Sequence, residues 1–241
     1  MAIQTENSPI VITVPHDGET KVDGAPIRPQ VQQWTRDYGG DHRDIGSRAC
    51  AEACADHLRE MGLPPTLIVF DLYRGQVDVN RGPNKEPFIL PDEHGFGQAY
   101  ENFHEAVSQT ISLALEIFDR CLLIDLHSFT VPPPQRKIHD VVLGTNEGET
   151  CSLHISEQLC RSLGVRYRTG HSPDREQGIS GRYRGGYIVR GTTKRFQMAR
   201  DTDHFAAIQI EKHQNQTFLD HPEIFGHDLA QSLLILMGER S

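Results

Sequence analysis

The sequence predicts an α/β fold: a single domain of three layers, α/β/α, around a mixed, largely parallel sheet. Three observations lead there. Short, continuous apolar runs recur along the chain, as expected of strands buried on both faces. Helical patterns separate most of these runs, the order that builds parallel strands with crossover helices. The 241 residues contain no linker, internal repeat or low-complexity tract, so residues 1–241 read as one domain.

Residues 9–14 (PIVITV) form a buried strand that ends at Pro15. Residues 44–61 form a helix stopped by Gly62 and Pro64. A second strand covers 66–72 (TLIVFDL), a long helix 97–119, and a third buried strand 121–126 (CLLIDL). Residues 140–143 give a fourth strand and 150–163 a helix; 186–190 (GYIVR) and 206–211 (AAIQIE) read as strands, and 223–237 as the last helix. The pieces GAPIRP, RGPNKEP and VPPPQ are loops.

A hydrophobic fraction of 37% and a charged fraction of 24% describe an ordinary soluble globular protein. The net charge of −9 argues against a general affinity for nucleic acid or an anionic membrane. It leaves room for a small anionic substrate, because local arginines override a global charge. No run of about 18 apolar residues offers a membrane span, and the N-terminus MAIQTENSPI has no signal-like basic and apolar regions. The cysteines, Cys50, Cys54, Cys121, Cys151 and Cys160, are odd in number, which suggests reduced thiols and a cytoplasmic location. Cys50 and Cys54, four apart among alanines, read as small helix residues.

In a parallel α/β sheet, ligands bind at the carboxyl ends of the strands. Those ends carry the polar residues: His16-Asp17-Gly18-Glu19 after the first strand, Arg74 and Asp78-Val79-Asn80-Arg81 after the second, Asp125-Leu126-His127-Ser128 at the third, and Glu211 at the 206–211 strand. A hydrolytic zinc site takes three protein ligands and leaves a fourth position open. His16 and Glu19 have His-x-x-Glu spacing, and His127 supplies the distant third ligand. Asp125, two residues before His127, shares its face of a strand and could orient the imidazole. Ser128 lacks the glycine-flanked elbow of a nucleophile. Arginine's planar fork suits a carboxylate or a developing oxyanion, which singles out Arg74 and Arg81; ion pairing with Asp71 and Asp78 is the alternative. Arg182, Arg184 and Arg190 alternate along a glycine-rich segment that could meet a ligand or a nucleic acid, and the acidic total weighs against the latter. A buried Glu211 beside an activated water would be a good general base.

Several motifs occur in order: Pro15-His16-Asp17-Gly18, Asp78-Val79-Asn80-Arg81, Asp125-Leu126-His127-Ser128, Gly144-Thr145-Asn146-Glu147-Gly148 followed by Cys151, the run 181–190, and Gln209-Ile210-Glu211. Together they resemble the N-formylglutamate amidohydrolases across most of the chain. The resemblance implies a zinc-exopeptidase-like fold, shared with the aspartoacylases, and hydrolysis of N-formyl-L-glutamate to formate and glutamate. It implies zinc on His16, Glu19 and His127, Glu211 as the base, and Arg74 polarising the scissile carbonyl. Asn80 and Arg81 would hold the α-carboxylate, with Arg182 and Arg184 as further substrate contacts. In many members of the family the carboxylate ligand lies further on, which makes Asp44 the competitor of Glu19; Glu19 is the favoured of the two. A deacylase or carboxypeptidase-like enzyme for another N-acyl amino acid or peptide, and a binding relative without catalysis, are the other readings.

Overall fold

The computed structural model describes residues 1–39, 42–130, 139–172, 183, 185–196 and 204–238. Seven strands form one mixed sheet in the order β1-β3-β2-β4-β7-β5-β6. They are β1 (Ala2–Gln4), β2 (Ile10–Val14), β3 (Thr66–Val69), β4 (Cys121–Phe129), β5 (Val141–Gly144), β6 (Thr169–Ser172) and β7 (Phe205–His213). The central pairs β3–β2, β2–β4 and β4–β7 are parallel, as is β5–β6. The two antiparallel pairings are β1 on β3 and β5 on β7. This is the α/β architecture expected from the apolar runs.

The pleat sorts the side chains into two cores. Ile10, Ile12, Leu122, Ile124, Ala206 and Ile208 face one way. They pack under α2 (Ser47–Glu60), α4 (Leu153–Leu163) and α7 (Pro222–Gly238). Val11, Leu123, Phe205 and Ala207 face the other way, under α3 (Phe96–Phe118) and α5 (Tyr187–Phe196). Each fully buried Ile, Leu or Phe contributes about 1.5–3 kcal/mol, so both faces of every central strand hold the sheet in register. Cys50 and Cys54 are core residues: a Cβ at Gly226 of α7 would stand 2.4 Å from the Cys50 carbonyl, so small residues let α2 and α7 approach closely. All five cysteines are free. Among the described residues no helix is long and apolar enough to cross a membrane.

Three boundaries differ from the sequence reading in ways that matter for the site. The helix expected from 44 begins at Ser47, after Gly46 in the left-handed region at φ 86°, so Asp44 lies in a loop. Strand β4 runs on to Phe129 and carries His127 within it. Residues 187–196 form a helix, α5, where 186–190 suggested a strand. Its strand-favouring start, the aromatic Tyr187 and the β-branched Ile188 and Val189, reads as a strand. Ile188 and Thr192, and Val189 and Thr193, are buried at helical spacing, and the Asn80 Oδ1 accepts from the Ile188 N–H at 3.0 Å. Tertiary contacts thus override local β-propensity. Helices α1 (Pro29–Tyr38) and α6 (Gln216–Asp220), with β1 and β6, were not among the elements read from the sequence.

Candidate metal centre

The site lies where the parallel strands end, on the face covered by α3 and α5. Alternation along β4 and β7 puts Asp125, His127, Gln209 and Glu211 on that face, beyond the apolar Leu123 and Ala207. In the sheet register Thr13 pairs with Asp125, Asp125 with Gln209, and His127 with Glu211. His16 follows β2 directly, and its carbonyl accepts from the Asp44 N–H at 3.1 Å, which brings the loop before α2 into the site.

His16, Asp44 and His127 are all buried, and their ligand-capable atoms lie within 4.8 Å of one another. The two imidazoles meet edge to face, with centroids 4.8 Å apart. Both turn Nδ1 to the same oxygen, Asp44 Oδ2, at 3.3 Å from His16 and 2.7 Å from His127. Both turn Nε2 to a second carboxylate: His16 to Asp78 Oδ1 at 2.8 Å, His127 to Asp125 Oδ2 at 3.0 Å. Each ring meets a carboxylate at both nitrogens; a neutral ring that gives its one hydrogen from Nε2 to Asp78 or Asp125 turns its Nδ1 lone pair toward Asp44. With neutral rings, two Nδ1 lone pairs and one carboxylate oxygen then converge. That donor set fits a divalent metal such as zinc, and the carboxylates behind the rings fix the tautomer the ion needs.

The electrostatics match. Burial alone would raise Asp44, but Arg74, His16 and His127 hold its carboxyl far below the usual range. Burial would lower His127; Asp125, Asp44 and Glu211 keep it well above the ordinary imidazole value, so metal and protons compete for this ring. Burial pushes Glu211 up to about 8 against the pull of His127. Gln209 donates to Glu211 Oε1 and accepts from the Gly186 N–H.

Above these groups is a cleft of about 350 Å³ lined by Arg43, Arg74, Arg81 and Arg190, by Asn80 and Glu211, and by Trp34, Phe129 and Tyr183. Arg74 donates from Nη1 to Asp44 Oδ1 at 3.0 Å. Arg81 Nε bonds Asp78 Oδ2 at 3.1 Å, and the Arg81 side chain is 45% exposed. Asn80 holds the start of α5, with its Nδ2 3.2 Å from His127 Nε2.

Glu19 is not part of the cluster. Gly18 runs against the backbone of Asp71 and Leu72, and Thr20 bonds Asp71 and Tyr73, so the chain is drawn along β3 and away from His16. The Glu19 carboxylate is exposed on the surface, paired with Arg43. The place that spacing offered to Glu19 is held by Asp44. Ser128 bonds the Ile45 carbonyl and Gln214, a structural arrangement. Arg182 and Arg184 lie outside the described residues. Sequence reasoning missed Arg28, buried under the site, and the holding role of Gln209. The first stood in a Pro-flanked loop with no distinguishing signal; the second was visible two residues before Glu211 on a strand.

The N-formylglutamate amidohydrolase family model matches residues 8–217. The chain belongs to the N-formylglutamate amidohydrolase family. The N-formylglutamate amidohydrolase of Ralstonia eutropha JMP134 has the same fold, with a TM-score of 0.69 and 17% identity over 99% of this chain and 98% of that one. A gene product of Agrobacterium tumefaciens follows at TM-score 0.62 and 17% identity, covering 99% of this chain and 94% of its own. No match was found among curated proteins.

Proposed function

We propose that this amidohydrolase cleaves the amide bond of an N-acyl amino acid, N-formyl-L-glutamate foremost, at a zinc held by His16, Asp44 and His127. The observation that carries the reading is the convergence of those three groups below a cleft with Glu211 at its floor and arginines on its walls. Family membership supports the formyl substrate.

When bound, the metal supplies a Lewis acid that makes water nucleophilic near neutral pH and polarises a carbonyl. Glu211 takes a proton from the attacking water and returns it to the leaving nitrogen; its separation from Asp44 and His127 in role follows from its lying outside the converging set. The Arg74 guanidinium, anchored on Asp44, meets the charge that develops on the carbonyl oxygen. Arg81 binds the α-carboxylate, and Arg190 on α5, which also lines the cleft, suits the side-chain carboxylate.

Trp34, Phe129 and Tyr183 on the same cleft favour a second reading, an N-acyl amino acid with an apolar group. Formate and amine release from N-formylglutamate, N-acetylglutamate and N-formylphenylalanine, with and without a chelator, tests both. The first reading predicts chelator-sensitive formate release, fastest with N-formylglutamate, and a KM raised at least tenfold in Arg81→Lys because lysine lacks the fork. Turnover unaffected by the chelator, or an unchanged KM, contradicts it.

A further inference from the structure

Arg28 is 1% exposed, among the most buried large side chains of the molecule, and it does not line the cleft. Its Nη2 donates to Asp78 Oδ2 at 2.9 Å and to the Arg74 carbonyl at 3.3 Å; Nη1 reaches the Glu86 carbonyl at 3.5 Å. Among the described residues its Nε is buried without a partner, and the contacts that offset its burial run through the two Nη atoms. Its backbone N–H donates to the Gly75 carbonyl at 2.8 Å. Burying an arginine is costly unless a carboxylate partner is close and well aligned. Here the partner is the carboxylate that holds His16.

Asp78 stands between the two. Its Oδ1 accepts from His16 Nε2 at 2.8 Å and from the Asn80 N–H at 3.1 Å. Its Oδ2 faces three guanidinium groups: Arg28 at 2.9 Å, Arg81 at 3.1 Å and Arg74 at 3.6 Å. The Arg74 and Arg81 side chains are 21% and 45% exposed and border the cleft, where an anionic substrate competes for them. The Arg28 side chain, at 2%, is the one of the three that does not border the cleft.

We propose that Arg28 is a positioning residue of the metal centre. By holding Asp78 in place, it fixes His16 with hydrogen on Nε2 and the Nδ1 lone pair directed toward Asp44 and His127. This inference rests on the metal reading above, and it assigns a role to a residue remote from substrate. A lysine at this position reaches one acceptor as a point charge and cannot bridge Asp78 and the Arg74 and Glu86 carbonyls together.

Zinc affinity is the readout, measured by competition with a chromogenic chelator on the full chain. Removing a partner that orients a metal-bound histidine weakens binding by about 10–100-fold; Asp78→Asn is expected in that range, and Arg28→Lys, which acts through Asp78, at its lower end. Its KM for the acyl amino acid stays near that of the wild type. Val31→Ala, which trims a buried side chain of α1, lowers Tm but leaves zinc affinity unchanged and controls for destabilisation. Asp78→Asn gives the coupling: if Arg28 acts through Asp78, adding Arg28→Lys to Asp78→Asn costs little further affinity. Should Arg28→Lys fold poorly, Arg28→Gln, shorter and neutral, carries the same cycle. Wild-type affinity in the Arg28 variants, or fully additive losses in the double variant, overturns the proposal while leaving the metal reading intact. A wild-type protein that binds no zinc overturns both.

Discussion

Glu211 makes no ion pair among the described residues and takes its hydrogen bond from Gln209, whereas Asp44 and Asp78 both hold arginines. Burial keeps it among the weaker acids of the site, suited to exchanging protons rather than to anchoring charge. A general base contributes typically 10²–10⁴-fold, so Glu211→Gln should lose about that factor in kcat and retain its zinc. Loss of zinc in that variant would make Glu211 a ligand, and wild-type kcat would remove it from the chemistry. A second carboxylate is set against its surroundings. Burial lifts Asp17 to about 6 from 3.8, although the Arg48 N–H at the start of α2 donates to it and draws it down. Between those values the folded state binds a proton that the unfolded chain does not, so Asp17 makes stability fall as pH rises from about 4 to about 6. Two pKa units correspond to about 3 kcal/mol. Asp17→Asn should raise Tm at pH 7.5 and flatten the Tm profile across that window. An unaltered profile would show that the carboxyl is not strained.

The strands were readable because burial on both faces leaves an uninterrupted apolar run, and Asp125 and His127 share a face simply because strands have a period of two. The elements that lack such a period were not readable. Residues 187–196 open like a strand, yet as a helix they bury Ile188, Val189, Thr192 and Thr193 and take a cap from Asn80. Likewise, Gly46 marks a turn near Asp44, but nothing in the sequence shows that the turn leaves the carboxylate beside His16. The His-x-x-Glu spacing was misleading for the complementary reason: it brings two side chains together on a helix, and Gly18 instead packs against the Asp71 backbone. The joint between β3's following loop and α5 can be tested at Gly186, where a Cβ would stand 2.1 Å from the Asn80 amide. Gly186→Ala should displace Asn80 from the first turn of α5 and from His127, at a cost of about 1–3 kcal/mol. Calorimetry should show a lower Tm, and an unchanged Tm would mean that the contact yields freely.

In the molecule as a whole, the site is assembled from sequence-distant pieces: the end of β2, the loop before α2, the loop after β3, and the last residues of β4 and β7. The parallel order of β3, β2, β4 and β7 puts all of these on one edge. That is why the fold class already put His16, His127 and Glu211 at one edge, whereas bringing Asp44 to them needed the path of the loops. Arg28 was invisible for the same reason, since its partners Arg74, Asp78 and Glu86 all come from the long segment after β3. The central claim is that His16, Asp44 and His127 hold the catalytic metal, and zinc content by elemental analysis of Asp44→Ala and Glu19→Ala, purified beside the wild type, tests it most directly. The structure predicts about one zinc per chain in the wild type and in Glu19→Ala, with zinc and turnover both lost in Asp44→Ala. Stoichiometric zinc in Asp44→Ala with zinc lost from Glu19→Ala would contradict it.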